Sequence, residues 1–124
     1  MRMMRWVVEQ IVAACQRARA AGLRVMAGRW GVELVDGVYR ASDDCVCPLG
    51  ALLLGTAAAP SRAWLEDRED MASAILGVSL EVVADMIAEI DAIGRRTAPL
   101  DIHDSDIHAA VCHAFRRVKK GEGK

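Results

Sequence analysis

Eight consecutive residues, Pro48 to Gly55, carry no polar side chain. The run, PLGALLLG, is far shorter than the roughly 20 apolar residues that a membrane span needs, so it has to be buried inside a protein core. Proline suits the first position of a helix, where its missing N–H would find no partner anyway, and Cys47 stands at the capping position before it. A short helix over 48–55, central to the core, is the consequence.

On either side the apolar residues recur at helical spacing. Met4, Val7, Val8, Ile11, Val12 and Cys15 define a stripe on a first helix from about residue 3 to 21, which Gly22 stops. The period then changes. Val32 and Leu34 alternate with Glu33, and Asp36-Gly37 separates them from Val38-Tyr39-Arg40, the pattern of a tight hairpin near 30–40. After the apolar run, TAAAPS at 56–61 is a break; Trp64 and Leu65 then precede an acid-rich helix start, EDRED, followed by MASAILG. Ser79 can cap a helix whose Val83, Met86, Ile87 and Ile90 form one stripe, ended by Gly94 and Pro99. Asp104 or Ser105 opens a last helix to about 119, with Ile107, Val111, Phe115 and Val118 inward, and 120–124 reads as a frayed tail. The fold class expected is mainly α: a single compact domain over 1–124, of about five helices, with a small β-hairpin after the first helix.

A hydrophobic fraction of 53% and a mean hydropathy of +0.17 exclude disorder and are high for a monomer of 124 residues, which points to a homo-oligomer or a protein partner. The net charge of -1 conceals segregation. Residues 1–40 carry seven Arg against three acids, 41–110 four Arg against thirteen acids, and 111–124 five bases against Glu122. Basic ends could wrap an acidic middle, the charges could face a partner or a second copy, or they could simply be solvated helix faces. Thirteen Arg against three Lys, with abundant Ala, Gly and Val, is the usage of GC-rich codons and suggests a bacterial or phage source. Glu9 and Gln10 interrupt the apolar start and Arg17 and Arg19 follow it, so neither a signal peptide nor a membrane span is expected there. A cytoplasmic protein with Cys15, Cys45, Cys47 and Cys112 as reduced thiols is the simplest expectation.

Four constellations could carry chemistry. MASAILGVSLEVVADMI has the apolar helix, glycine turn and second helix of a helix-turn-helix, but its second helix, Leu80 to Asp91, offers Glu81, Asp85, Glu89 and Asp91 and no Lys or Arg, which argues against nucleic acid. Cys45 and Cys47, as a Cys-x-Cys pair, could join His108 and Cys112, four residues apart on one helix face, in a tetrahedral zinc site; His103 and His113 are spare ligands nearby. Buried cysteines are equally at home as small core residues. Cys47 at a helix N-terminus could be a reactive thiol if a histidine came close. DIHDSD at 101–106 lacks the glycine and terminal Glu of a calcium loop and reads as a polar helix start.

CVCPLGALLLG, with Cys47, Gly50, Ala51 and Leu52 as a Cys-x-x-Gly-Ala-Leu segment and Leu76-Gly77-Val78-Ser79 as a second point, resembles small bacterial and phage helical proteins of unknown function. The resemblance implies a compact helical domain and no activity; small residues at the helix opening would allow close packing. The functional expectation is a non-catalytic interaction protein acting through self-association or a macromolecular partner. A thiol- or zinc-based protein using Cys45, Cys47, His108 and Cys112 is the alternative, and a DNA-binding helix-turn-helix protein the disfavoured third.

Overall fold

The computed structural model describes residues 2–28, 30–57, 68–96 and 101–122. Among them the element order is α1 (Arg2–Ala20), β1 (Arg24–Val25), β2 (Val32–Val35), β3 (Val38–Ala41), β4 (Cys45–Val46), α2 (Pro48–Leu53), α3 (Arg68–Leu76), α4 (Leu80–Arg96) and α5 (Asp104–Glu122). This is a mainly helical fold with five helices among the described residues and an antiparallel hairpin, β2–β3, after the first helix. No single described helix is long and apolar enough to cross a membrane.

The apolar run occupies the position its composition demands. Every residue of α2 is buried, and the helix touches α1, α3, β2 and β4. Its N-terminus is held by Cys47, whose Sγ accepts a hydrogen bond from the Gly50 N–H at 3.2 Å. Gly50 has a steric reason. A Cβ built there would lie 1.9 Å from the Trp30 carbonyl oxygen, because the chain entering β2 crosses directly over the helix. The close neighbour that a small residue admits is thus backbone from residue 30 rather than another helix.

The hairpin turn has Asp36 at φ 54° and Gly37 at φ 78°, the two positive values that match the twist of the flanking strands, and it pairs Val32 with Ala41 and Val35 with Val38. Its Tyr39 is fully buried, and β3 is tied to the chain after α2 by Tyr39 N–H to Thr56 and Gly55 N–H to the Tyr39 carbonyl. Sequence periodicity missed the second pairing. Arg24 and Val25 run parallel to Cys45 and Val46, and the Ile102 N–H donates to the Val25 carbonyl at 2.9 Å. Two-residue strands are too short to show a period.

Several boundaries move. Helix α2 ends at Leu53, with Leu54 and Gly55 turning away. Gly94 does not stop α4, which continues to Arg96; a Cβ at Gly94 would lie 2.3 Å from the Ala27 Cβ, so this glycine marks close packing. Helix α5 begins after His103, whose N–H donates to the Asp106 carboxylate, and its described bounds are Asp104–Glu122. Trp64, Leu65, the first part of EDRED, the end of the TAAAPS break and Pro99 lie outside the described residues.

The segregated charges meet across the fold. Arg19 pairs with Asp104 at 3.3 Å and Arg24 with Asp101 at 3.0 Å, while Arg117 reaches Glu89 at 2.6 Å and Asp85 at 3.9 Å. Each pair joins a basic end to the acidic middle. All are substantially exposed on at least one side, so each contributes only about 0–1 kcal/mol, and they orient α1 and α5 more than they hold them.

Gly50→Ala should therefore destabilise the domain by about 3 kcal/mol, since the added methyl meets a carbonyl that cannot give without moving β2. Urea unfolding of the variant against Ala51→Gly, which adds no atoms, measures this. Equal losses in the two variants would show that the crossing of Trp30 does not matter.

Candidate functional site

The four residues expected to converge on zinc are divided between two places. Cys45 is half-buried in β4 and Cys47 is buried at the start of α2, where its sulfur is engaged by the Gly50 N–H. Cys47 also lines a cavity of about 130 Å³ with Gly28, Trp30, Leu49, Ile90 and Asp91. The other half is a pair: His108 Nε2 and Cys112 Sγ, on successive turns of α5, are 3.6 Å apart. Among the described residues the one set of three candidate ligands whose donor atoms lie within 4.8 Å of one another is Asp43, Asp44 and Cys45. Cys45, Cys47, His108 and Cys112 therefore do not gather into one four-ligand centre. In a continuous strand, residues two apart such as Cys45 and Cys47 would share a face, but β4 ends at Val46 and the Cys47 sulfur is engaged as the cap of α2.

The buried thiols have a different neighbour relation. Cys15 on α1 is close enough to feel the charge of Cys47, and both are free. Burial pushes the Cys47 thiol up to about 11, the Gly50 N–H acting weakly the other way. Burial likewise pushes Cys15 up to about 12, against the opposing pull of Arg19. A helix N-terminus would lower a thiol that faced water; here desolvation outweighs it, so Cys47 is a capping core residue with its proton on.

The helix-turn-helix geometry is present. Helices α3 and α4 meet at 109° across Gly77, Val78 and Ser79. Gly77 has φ 66°, a value that side chains disfavour, and the Val78 N–H reaches back to the Ser73 carbonyl, closing α3. Ser79 Oγ then caps α4 by accepting from the Val82 N–H at 3.3 Å. Ser73 has a role here too, since its hydroxyl donates to the Val78 carbonyl and braces the turn.

The charges on α4 are less available than its sequence implies. Asp85 and Glu89 are half-buried against Arg117, and Asp91 accepts a hydrogen bond from the Gly28 N–H at 3.2 Å. Between Leu80 and Asp91 the exposed residues are Leu80, Glu81, Ala84 and Ala88. That strip is small and apolar with one acid and offers no base to phosphate, while the exposed Arg95 lies in the last turn of α4.

A surface feature that belongs to none of these motifs lies beside this turn. Met3 is 50% exposed, Trp6 42% and Leu80 48%. Met3 and Trp6 line an open groove with Ala74, Ile75, Leu76 and Gly77, three residues before Leu80. In the sequence, Met3 and Trp6 stand three apart and just off the Met4–Val7–Ile11 stripe, which was the available signal.

Compared with known proteins, the chain matches no family model, no curated protein and no solved structure.

Because both buried thiols hold their protons more tightly when folded, the unfolded chain loses them first as pH rises. Their contribution is intact below pH 9.0, the ordinary value, and is lost as pH climbs through about 11 and 12. Denaturation midpoints should fall in that window, and Cys47→Ala should flatten the fall. At pH 8, iodoacetamide should label half-buried Cys45 well before Cys15 or Cys47, as read by peptide mass spectrometry.

Proposed function

We propose that this chain is a non-catalytic interaction protein that works by self-association, through the face made by the start of α1 and the α3–α4 turn. The observation that carries the reading is the gathering of Met3 and Trp6 over Ala74, Ile75 and Gly77, with Leu80 following on the next helix. Large apolar side chains left in water at one place cost about 25 cal/mol for each Å² that could be covered, and contiguous patches of this kind mark contact sites.

A second copy suits this face by charge. Helix α1 has no acid in its first turn and exposes Arg5 beside Trp6, while Glu81 is exposed beside Leu80. Under a twofold axis the basic edge of one copy meets the acidic edge of the other twice, which is the self-complementarity an isologous dimer needs. The high apolar fraction of the chain agrees with a buried face of this kind. The helix-turn-helix serves as a scaffold in this reading, because the α4 strip of Leu80, Ala84 and Ala88 suits protein contact better than phosphate. A cytoplasmic setting, where free thiols stay reduced, and a bacterial or phage source complete it.

Light scattering coupled to size exclusion should show a dimer at micromolar concentration. Trp6→Glu should weaken it by about 100-fold, the scale of an aromatic anchor at the centre of an interface. Arg5→Glu and Glu81→Arg should each weaken it and together restore it. A wild-type chain that stays monomeric at millimolar concentration would remove this reading.

A further inference from the structure

We propose that the cavity beside Cys47 is a binding site for a free α-amino acid with a branched aliphatic side chain. Three residues of α4 set it out. Ile87, Asp91 and Arg95 fall four apart and so share one edge of the helix, in the order apolar, acidic, basic. The inner cavity, of about 130 Å³, is walled by Trp30, Cys47, Leu49, Ile87 and Ile90, with Gly28 and Asp91 beside them. A wider pocket of about 330 Å³, lined by Ala27, Gly28, Asp91, Gly94 and Arg95, shares Gly28 and Asp91 with it. Asp91 therefore stands where the apolar cavity meets the open pocket, and Arg95 stands on the outer side alone.

Both charges are available to a ligand. Asp91 is half-buried; its Oδ1 accepts from the Gly28 N–H at 3.2 Å, and among the described residues its Oδ2 has no partner. Arg95 is exposed, and among the described residues no carboxylate pairs with it, Asp91 included, although a spacing of four on a helix commonly brings such a pair together. A carboxylate and a guanidinium that line one pocket without meeting leave room between them for a group of each opposite sign. An α-amino acid carries both groups on a single carbon, with its side chain as the third substituent. The ammonium donates to Asp91 Oδ2, the carboxylate accepts from the Arg95 guanidinium, and the side chain enters the inner cavity. Size selects that side chain. An apolar cavity of about 150 Å³ takes up the six carbons of benzene, so one of about 130 Å³ holds roughly four or five, which admits leucine, isoleucine or valine and excludes an indole. Cys47 keeps its proton and adds no charge to this inner wall. A mostly apolar hollow with a few convergent polar groups is the usual form of a small-molecule site.

The pocket shares no lining residue with the Met3 and Trp6 face, so a monomeric Trp6→Glu chain should bind the amino acid as the wild type does. The test is calorimetric titration of the full chain with L-leucine. One equivalent should bind with a dissociation constant of about 100 µM. Asp91→Asn removes the charge but keeps an acceptor for the Gly28 N–H, and should weaken binding by about 30-fold; the exposed Arg95→Gln should weaken it by about 10-fold. Ile87→Phe, which fills the inner cavity, should abolish it. Isoamylamine, which lacks the carboxylate, and isocaproate, which lacks the ammonium, should each bind about 10-fold more weakly than leucine, and L-tryptophan should not compete. No heat at about 10 mM leucine would overturn the proposal, as would wild-type affinity in Asp91→Asn. Isocaproate, isoamylamine or tryptophan binding as tightly as leucine would also overturn it, and leucinamide doing so would replace the free amino acid by the N-terminus of a peptide.

Discussion

The crossing of the Trp30 carbonyl over Gly50 is the contact on which the other elements depend. It fixes how closely the chain entering β2 lies on α2, and α2 in turn is the surface against which α1, α3, β2 and β4 are packed. Dense packing leaves such a contact little room to relax. The Cys47 sulfur, by accepting from the Gly50 N–H, holds the same residue from the other direction. A short helix of six residues would be unstable alone; surrounded in this way it becomes the fixed centre of the domain.

Much of this was legible in the chain because it depends on local chemistry. The absence of polar side chains from Pro48 to Gly55 decides burial, Asp36-Gly37 decides the turn, and Ser79 decides where α4 starts. What was not legible is non-local. Gly94 has the composition of a helix stop but is a packing position against Ala27, and nothing near residue 94 in sequence could reveal that partner. The parallel pairing of β1 with β4 leaves no periodic trace in two residues.

The candidate sites divide along the same line. His108 and Cys112 sit on one helix, so their spacing alone brought them together, at 3.6 Å. Joining them to Cys45 and Cys47 required a tertiary placement that spacing does not encode. The acidic character of α4 was visible, but not that Arg117 from α5 would take up Asp85 and Glu89. The patch at Met3 and Trp6 arises from α1 meeting α3, and only the fold gives it neighbours.

Val25 has a kinetic meaning beyond its small size. It is buried and in parallel register with Val46, and its carbonyl also accepts from the Ile102 N–H, so this single residue joins the early, middle and late parts of the chain. Both links must be closed across long stretches of chain, and closing long loops before they are rewarded slows a transition state. The domain is therefore expected to fold as one cooperative unit in which the Val25–Val46 pair closes before the link to Ile102. A ribosome must release residues beyond Ile102 before the Val25 carbonyl can take up its bond from the Ile102 N–H.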